Sequence, residues 1–154
     1  MIRAFMLTLA VLAAACGGGP AAPTVIQPRY PNVLGSYRLT FSAVGVFSNG
    51  QRSSLTCPGT MAITSQTGGA FSGSLQMTGA CANAATINGQ MDTAGNISQV
   101  VLSNTLDPAG CVISSSTGYT GLFQGVTMTF QRRFSGSCSG LGFTVDQVFV
   151  ATRQ

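Results

Sequence analysis

Asp92, Asp107 and Asp146 are the only carboxylate side chains in the sequence, and no histidine, lysine or glutamate accompanies them. Together they could do the work of a two-carboxylate hydrolase, one acid and one base flanking a scissile bond. Their settings argue against it. Asp92 lies in Met91-Asp92-Thr93-Ala94-Gly95-Asn96 and Asp107 in Leu106-Asp107-Pro108-Ala109-Gly110, both turn sequences. Asp146 alternates with Val145 and Gln147 in the last apolar stretch, where it should face solvent or an arginine. Without histidine, neither a Ser-His-Asp nor a Cys-His arrangement can be built. The chain is expected not to be an enzyme, and nothing in it calls for a cofactor.

Cysteine is the other reactive type. Setting Cys16 aside leaves Cys57, Cys81, Cys111 and Cys138, for which three pairings exist. Residues 60–66 and 70–78 read as the arms of a hairpin turning at Gly68-Gly69. Cys57 and Cys81 are equidistant from residue 69, so they should face each other at the hairpin's open end. That leaves Cys111 with Cys138, centred between Gln124 and Gly125. Each bridge would close a loop of some twenty-odd residues and contribute about 3 kcal/mol. The alternative is four free buried thiols; zinc fits worse, because no two cysteines have close ligand spacing and histidine is missing.

The fifth cysteine has a different setting. Arg3 supplies a positive start, Phe5 to Leu12 an apolar run, and Ala13-Ala14-Ala15 the small residues of a cleavage site. The run is shorter than the roughly 20 residues that a membrane-spanning helix needs. With Cys16 directly after the alanines, the segment resembles the lipobox of bacterial lipoproteins, although Ala13 stands where that family prefers leucine. The resemblance implies a signal peptide over residues 1–15 and a mature chain beginning at an acylated, palmitate-bearing Cys16. It also implies a place in the cell envelope, and the lack of aspartate after Cys16 implies outer-membrane sorting. Gly17-Gly18-Gly19-Pro20-Ala21-Ala22-Pro23 then suits a flexible tether, taken to extend over residues 16–32. An exported chain is also where paired cysteines are expected. The expected partners are therefore a membrane, through Cys16, and not nucleic acid, since scattered arginines and a small net positive charge make no basic patch. Arg132-Arg133 is the single basic doublet, and strand alternation sends its two side chains to opposite faces.

From residue 33 to 154 the signals are those of strands. Tyr37, Leu39, Phe41 and Ala43 alternate with Arg38, Thr40 and Ser42. Similar stretches follow around Met61, Leu75, Ile87, Val101, Phe123, Phe130 and Phe149, separated by Gly-, Asn- and Asp-rich turns. No stretch of this region has a helical period. About eight strands with turns at such intervals predict one all-β domain, an antiparallel up-and-down barrel with a β-sandwich as the alternative. Gly73, Gly89 and Gly121 interrupt apolar faces, where they would permit the coiling that closure needs.

Gly35-Ser36-Tyr37 is similar to the Gly-x-Trp that opens the first strand of the calycin barrels, the lipocalins and avidins, and Phe149-Val150-Ala151-Thr152-Arg153 resembles their closing strand. The resemblance implies that Arg153 packs over Tyr37. It does not carry over biotin binding, because the tryptophans of that site are absent. Eight-stranded barrels are just wide enough to be filled by side chains or to hold one small ligand. A cavity would be walled by Tyr37, Phe41, Met61, Phe71, Leu75, Met77, Met91, Met128, Phe130 and Phe149, with methionines giving an adaptable surface. The same residues could instead form a solid core. The expected function is accordingly a non-catalytic, lipid-anchored envelope protein that binds a small apolar or amphiphilic ligand. Its alternative is an envelope structural or protein-interaction module with no ligand.

Overall fold

A computed structural model describes residues 28–104 and 107–154, and the alternation of the sequence gives nine strands among them. These are β1 (Gly35–Phe47), β2 (Arg52–Thr67), β3 (Ala70–Met77), β4 (Asn83–Met91), β5 (Asn96–Leu102), β6 (Val112–Ser116), β7 (Tyr119–Gln124), β8 (Thr127–Cys138) and β9 (Leu141–Arg153). The leader, Cys16 and most of the expected tether lie outside the described residues.

Every pairing is antiparallel. Strands β1 to β5 form a meander, β5 pairs with β7, β7 with β8 and β8 with β9. Strand β9 then returns to β1, from Tyr37 opposite Arg153 to Phe47 opposite Phe143. This last ladder closes an eight-stranded barrel and excludes the sandwich. Strand β6 is the extra element: it prolongs the line of β7 along the far half of β8, beyond the reach of β5. Closure leaves β1 and β9 paired on both sides, so neither is an open edge.

The expected glycines stand where backbones approach most closely. A Cβ at Gly121 would lie 1.9 Å from the Thr129 carbonyl oxygen, and one at Gly73 as close to that of Ala62. Gly89 lies beneath the Phe71 ring, with 2.1 Å between its would-be Cβ and the nearest ring carbon. These positions let the strands coil and the ring fill the space a side chain would take.

Both disulfides pair as expected, Cys57 with Cys81 and Cys111 with Cys138. The route to the first differs. Gly59 sits opposite Met77, so the β2–β3 ladder centres on residue 68 rather than 69, and a bulge between Ile63 and Ser65 shifts it near the turn. Cys81 reaches Cys57 because Gly79–Cys81 winds into a single 3₁₀ turn after the ladder ends. At the second bridge the pairs next to it, Val112 with Ser137 and Ile113 with Gly136, bring Cys111 opposite Cys138, before a shift between Ile113 and Ser115.

Inside the wall, Phe41, Phe130, Phe149 and Tyr119 form one aromatic cluster. Phe130 stacks on Phe149 at 4.7 Å between ring centres, and Phe41 meets Phe149 at 4.8 Å. Tyr119 sets its edge against both Phe130 and Phe149. Such arrangements favour the rings beyond the area they bury. The outward positions carry Thr40, Thr60, Gln76, Thr86, Gln90, Thr120 and Gln131, all exposed. Val44, Val46, Val101, Leu122 and Val150 are exposed among them, so the outer face is polar with apolar side chains scattered over it.

Candidate functional site

The two ends of this barrel are finished differently, and one of them holds a cavity. At the end where β1 begins, the chain preceding the barrel crosses the opening. Val33 is fully buried there, and its N–H donates to Gln66 Oε1 at 2.9 Å. Gln66 Nε2 donates in turn to the Pro31 carbonyl at 2.8 Å. Tyr37 Oη donates to the Val33 carbonyl at 2.6 Å, and Arg153 Nη2 donates to Tyr37 Oη at 3.0 Å and to the Asn32 carbonyl. The Arg153 guanidinium lies over the Tyr37 and Phe123 rings, 5.5 Å from each centre. Arg153 therefore packs over Tyr37, the contact that the calycin resemblance implies. Pro31 and Asn32, expected within the tether, are thus fixed to the barrel.

At the opposite end, the last residues of β1 and the first of β2 and β9 flare around a cavity of about 380 Å³. Phe41, Ala43, Gly45 and Phe47 line it from alternate positions of β1, and Ser53 and Leu55 from β2. Phe134, Val145 and Gln147 come from β8 and β9. Ala80 and Cys81 form one lip, and Asp107 and Pro108 another. Phe41 is the floor, seated on Phe149. The wall is mostly apolar, with polar groups gathered on the side of Gln147 and Asp107.

That polar side is a connected group. Arg132, buried in the wall of β8, donates from Nε to Gln147 Oε1 at 2.8 Å and from Nη2 to Asp107 Oδ1. Tyr119 Oη donates to the same Gln147 oxygen at 2.6 Å. The guanidinium is flanked by the rings of Tyr119, at 4.9 Å, and Phe134, at 4.7 Å. Arginine tolerates such a place because its planar, delocalised cation is weakly hydrated and stacks on aromatic faces. Burial pushes the Tyr119 phenol up to about 12, against the pull of the adjacent Arg132 charge. The phenol is therefore a neutral hydrogen-bond donor at neutral pH.

No protein-family model matches the chain, and no curated protein matches it. Among solved structures the chain is similar to a redesigned beta barrel, with 13% identity and a TM-score of 0.39 over 79% of this chain and 91% of that one. It is also similar to EF1p2_mFAP2b bound to DFHBI, with 11% identity and a TM-score of 0.44 over 79% of this chain and 94% of that one.

Of the ten residues expected to wall a cavity, Phe41 lines this one. Tyr37, Met61, Phe71, Leu75, Met77, Met91, Met128, Phe130 and Phe149 are buried in the interior, none more than 4% exposed, and none lines the cavity. The expected core is thus mostly solid, and the cavity sits above it. The three carboxylates go to three places. Asp92 closes its own turn, accepting from the Ala94 and Asn96 N–H groups at 2.8 and 2.9 Å, and these bonds with the Asn96 side chain hold its carboxyl below the usual range. Asp146 pairs with Arg133 at 3.6 Å on the outside. Asp107 alone turns to the cavity, which its turn sequence did not foretell. Arg132 and Gln147 were equally missed as site residues. The available signal was parity: Met128, Phe130 and Phe134 share the inward face with Arg132.

Proposed function

We propose that the protein is a lipid-anchored, non-catalytic component of the cell envelope that takes one small apolar or amphiphilic molecule into the open mouth of its barrel. The observation that carries this reading is the cup itself. Its apolar wall with a few converging polar groups is the usual composition of small-molecule sites. A barrel folded only to bury its own side chains would have no need to keep Phe41, Leu55, Phe134 and Val145 around an opening. Anchorage rests on the leader and Cys16. The absence of catalysis rests on the residue types present and on the separation of the three carboxylates.

The cup is tested by titrating the protein with N-phenylnaphthylamine, whose fluorescence rises in apolar surroundings. Saturable binding of one probe per chain is expected in the wild type. Ala43→Trp, which fills the cup from β1, should abolish it with little change in melting temperature. Binding that survives Ala43→Trp, or no binding at all, contradicts the reading. Anchorage is tested separately: palmitate label should enter the wild-type chain in a bacterial host and be absent from Cys16→Ser.

A further inference from the structure

We infer that the cup selects amphiphiles with an anionic head, a carboxylate above all, and that Arg132 is the group that receives it. The inference rests on the cup being a ligand site. Among the described residues, Arg29, Arg38, Arg52 and Arg133 are exposed, while Arg132 and Arg153 are not. Arg153 belongs to the sealed end. Arg132 is therefore the buried cation at this end of the barrel, one bond behind the Asp107 and Gln147 side chains that line the cavity, and it is held in place by two ring faces and by Gln147.

A cation in such surroundings needs an opposite charge close by. The wall does not provide one: of the strand residues around Arg132, the partner it bonds is the neutral Gln147, and Asp146 points outward to Arg133. The charge comes instead from Asp107, in the segment between β5 and β6, whose side chain is 34% exposed and borders the cup. A carboxylate at the cup surface, bonded to a guanidinium fixed from behind, marks the position that a ligand's own carboxylate would take. Exchanging one carboxylate for another preserves the charge balance of the site and the charge-assisted bond, while the ligand's tail covers Phe41, Leu55 and Phe134. A neutral head makes no such exchange. A cationic head would be brought beside Arg132 and repelled. Asp107 is then the internal competitor of the ligand, and Arg132 its receptor.

The test compares three eight-carbon amphiphiles, octanoate, octanol and octyltrimethylammonium, as displacers of N-phenylnaphthylamine from the wild type, Asp107→Asn and Arg132→Gln. The wild type should bind octanoate more tightly than octanol, and the cation most weakly. Asp107→Asn removes the competing charge with little change in size, and should strengthen octanoate binding by about tenfold while moving octanol by less than about twofold. Arg132→Gln should bring octanoate down to the level of octanol. If Arg132→Gln does not fold, the octanoate-to-octanol ratio in Asp107→Asn decides alone. An unchanged ratio in Asp107→Asn, or a preference for the cation, overturns the head site while octanol binding leaves the cup standing. Failure of all three to displace the probe from the wild type contradicts the cup itself and this inference with it.

Discussion

Each end of the barrel carries an arginine laid on aromatic rings, and the two ends differ in what completes the arrangement. At the sealed end, Arg153 lies over Tyr37 and Phe123 and bonds to the Asn32 carbonyl and the Tyr37 hydroxyl. Its neighbours are backbone and a phenol, and Val33 fills the opening beneath. At the open end, Arg132 lies between Tyr119 and Phe134, but its partners are an amide and the carboxylate of Asp107, and a cavity of about 380 Å³ adjoins them. The sealed end is stapled by hydrogen bonds between side chains and the main chain of residues 31–33. The open end is framed by covalent ones: Cys81 of the Cys57–Cys81 bridge forms its lip, and Cys111–Cys138 ties the start of β6 to the end of β8. Disulfides hold a rim in shape without filling it, which a plug of backbone cannot do. The same cation-on-ring device thus closes one end and, with a counter-charge added, stands beside the cavity we propose as the ligand site at the other.

The aromatic cluster beneath the cavity should be the most sensitive point. Phe149 touches Phe41, Phe130 and Tyr119, and Phe149→Ala should cost about 3–5 kcal/mol in denaturant unfolding. Such a variant should also lose the probe, because the floor of the cup goes with it. A cost under about 1 kcal/mol would mean that the rings are not the core the fold depends on.

Removing the bridge behind the lip comes next. The double change Cys57→Ser with Cys81→Ser should lower stability by about 3 kcal/mol and also weaken probe binding, since Ala80 and Cys81 lose their fixed place. At the sealed end the two effects should separate. Tyr37→Phe removes the hydroxyl between Val33 and Arg153 and should cost about 1 kcal/mol, with probe binding unchanged. Weakened probe binding in Tyr37→Phe would erase the distinction between the ends.

A pH dependence follows from Tyr119. The Tyr119 phenol ionises near 12 in the folded chain, above its usual value near 10, so the folded state holds that proton more tightly than the unfolded one. The stability this contributes is complete below about pH 10 and is lost as pH rises from there through 12. Tyr119→Phe should abolish that alkaline loss. Equal alkaline sensitivity in wild type and variant would place the responsible group elsewhere.

Much of the wall could be read from the sequence because its rules are local. Alternation gave the faces of β1, β4 and β9, the Gly68-Gly69 and Asp92–Asn96 turns gave two hairpins, and cysteine spacing gave both bridges. What could not be read was long-range. Pairing of β1 with β9, which decides barrel against sandwich, joins residues about a hundred positions apart, from Phe47 with Phe143 to Tyr37 with Arg153. The 3₁₀ turn that carries Cys81 to Cys57 breaks the hairpin's regularity just past the ladder. The cavity at the open end was not legible for a related reason. Large apolar residues mark where a barrel interior is, but a cavity forms where they give out, near Ala43, Gly45 and Ser53. Asp107 was hidden because a turn sequence explains an aspartate without any need for Arg132.

The most direct measurement of the central claim is a map of backbone amide chemical shifts on the isotope-labelled protein as octanol is added. The largest changes should fall on Ala43, Phe47, Leu55, Phe134, Val145 and Gln147, with Tyr37, Phe123 and Arg153 unmoved. Changes centred on the Tyr37–Arg153 end or spread over the outer wall, or no saturable change at all, would contradict an account in which one end of this barrel is sealed and the other binds.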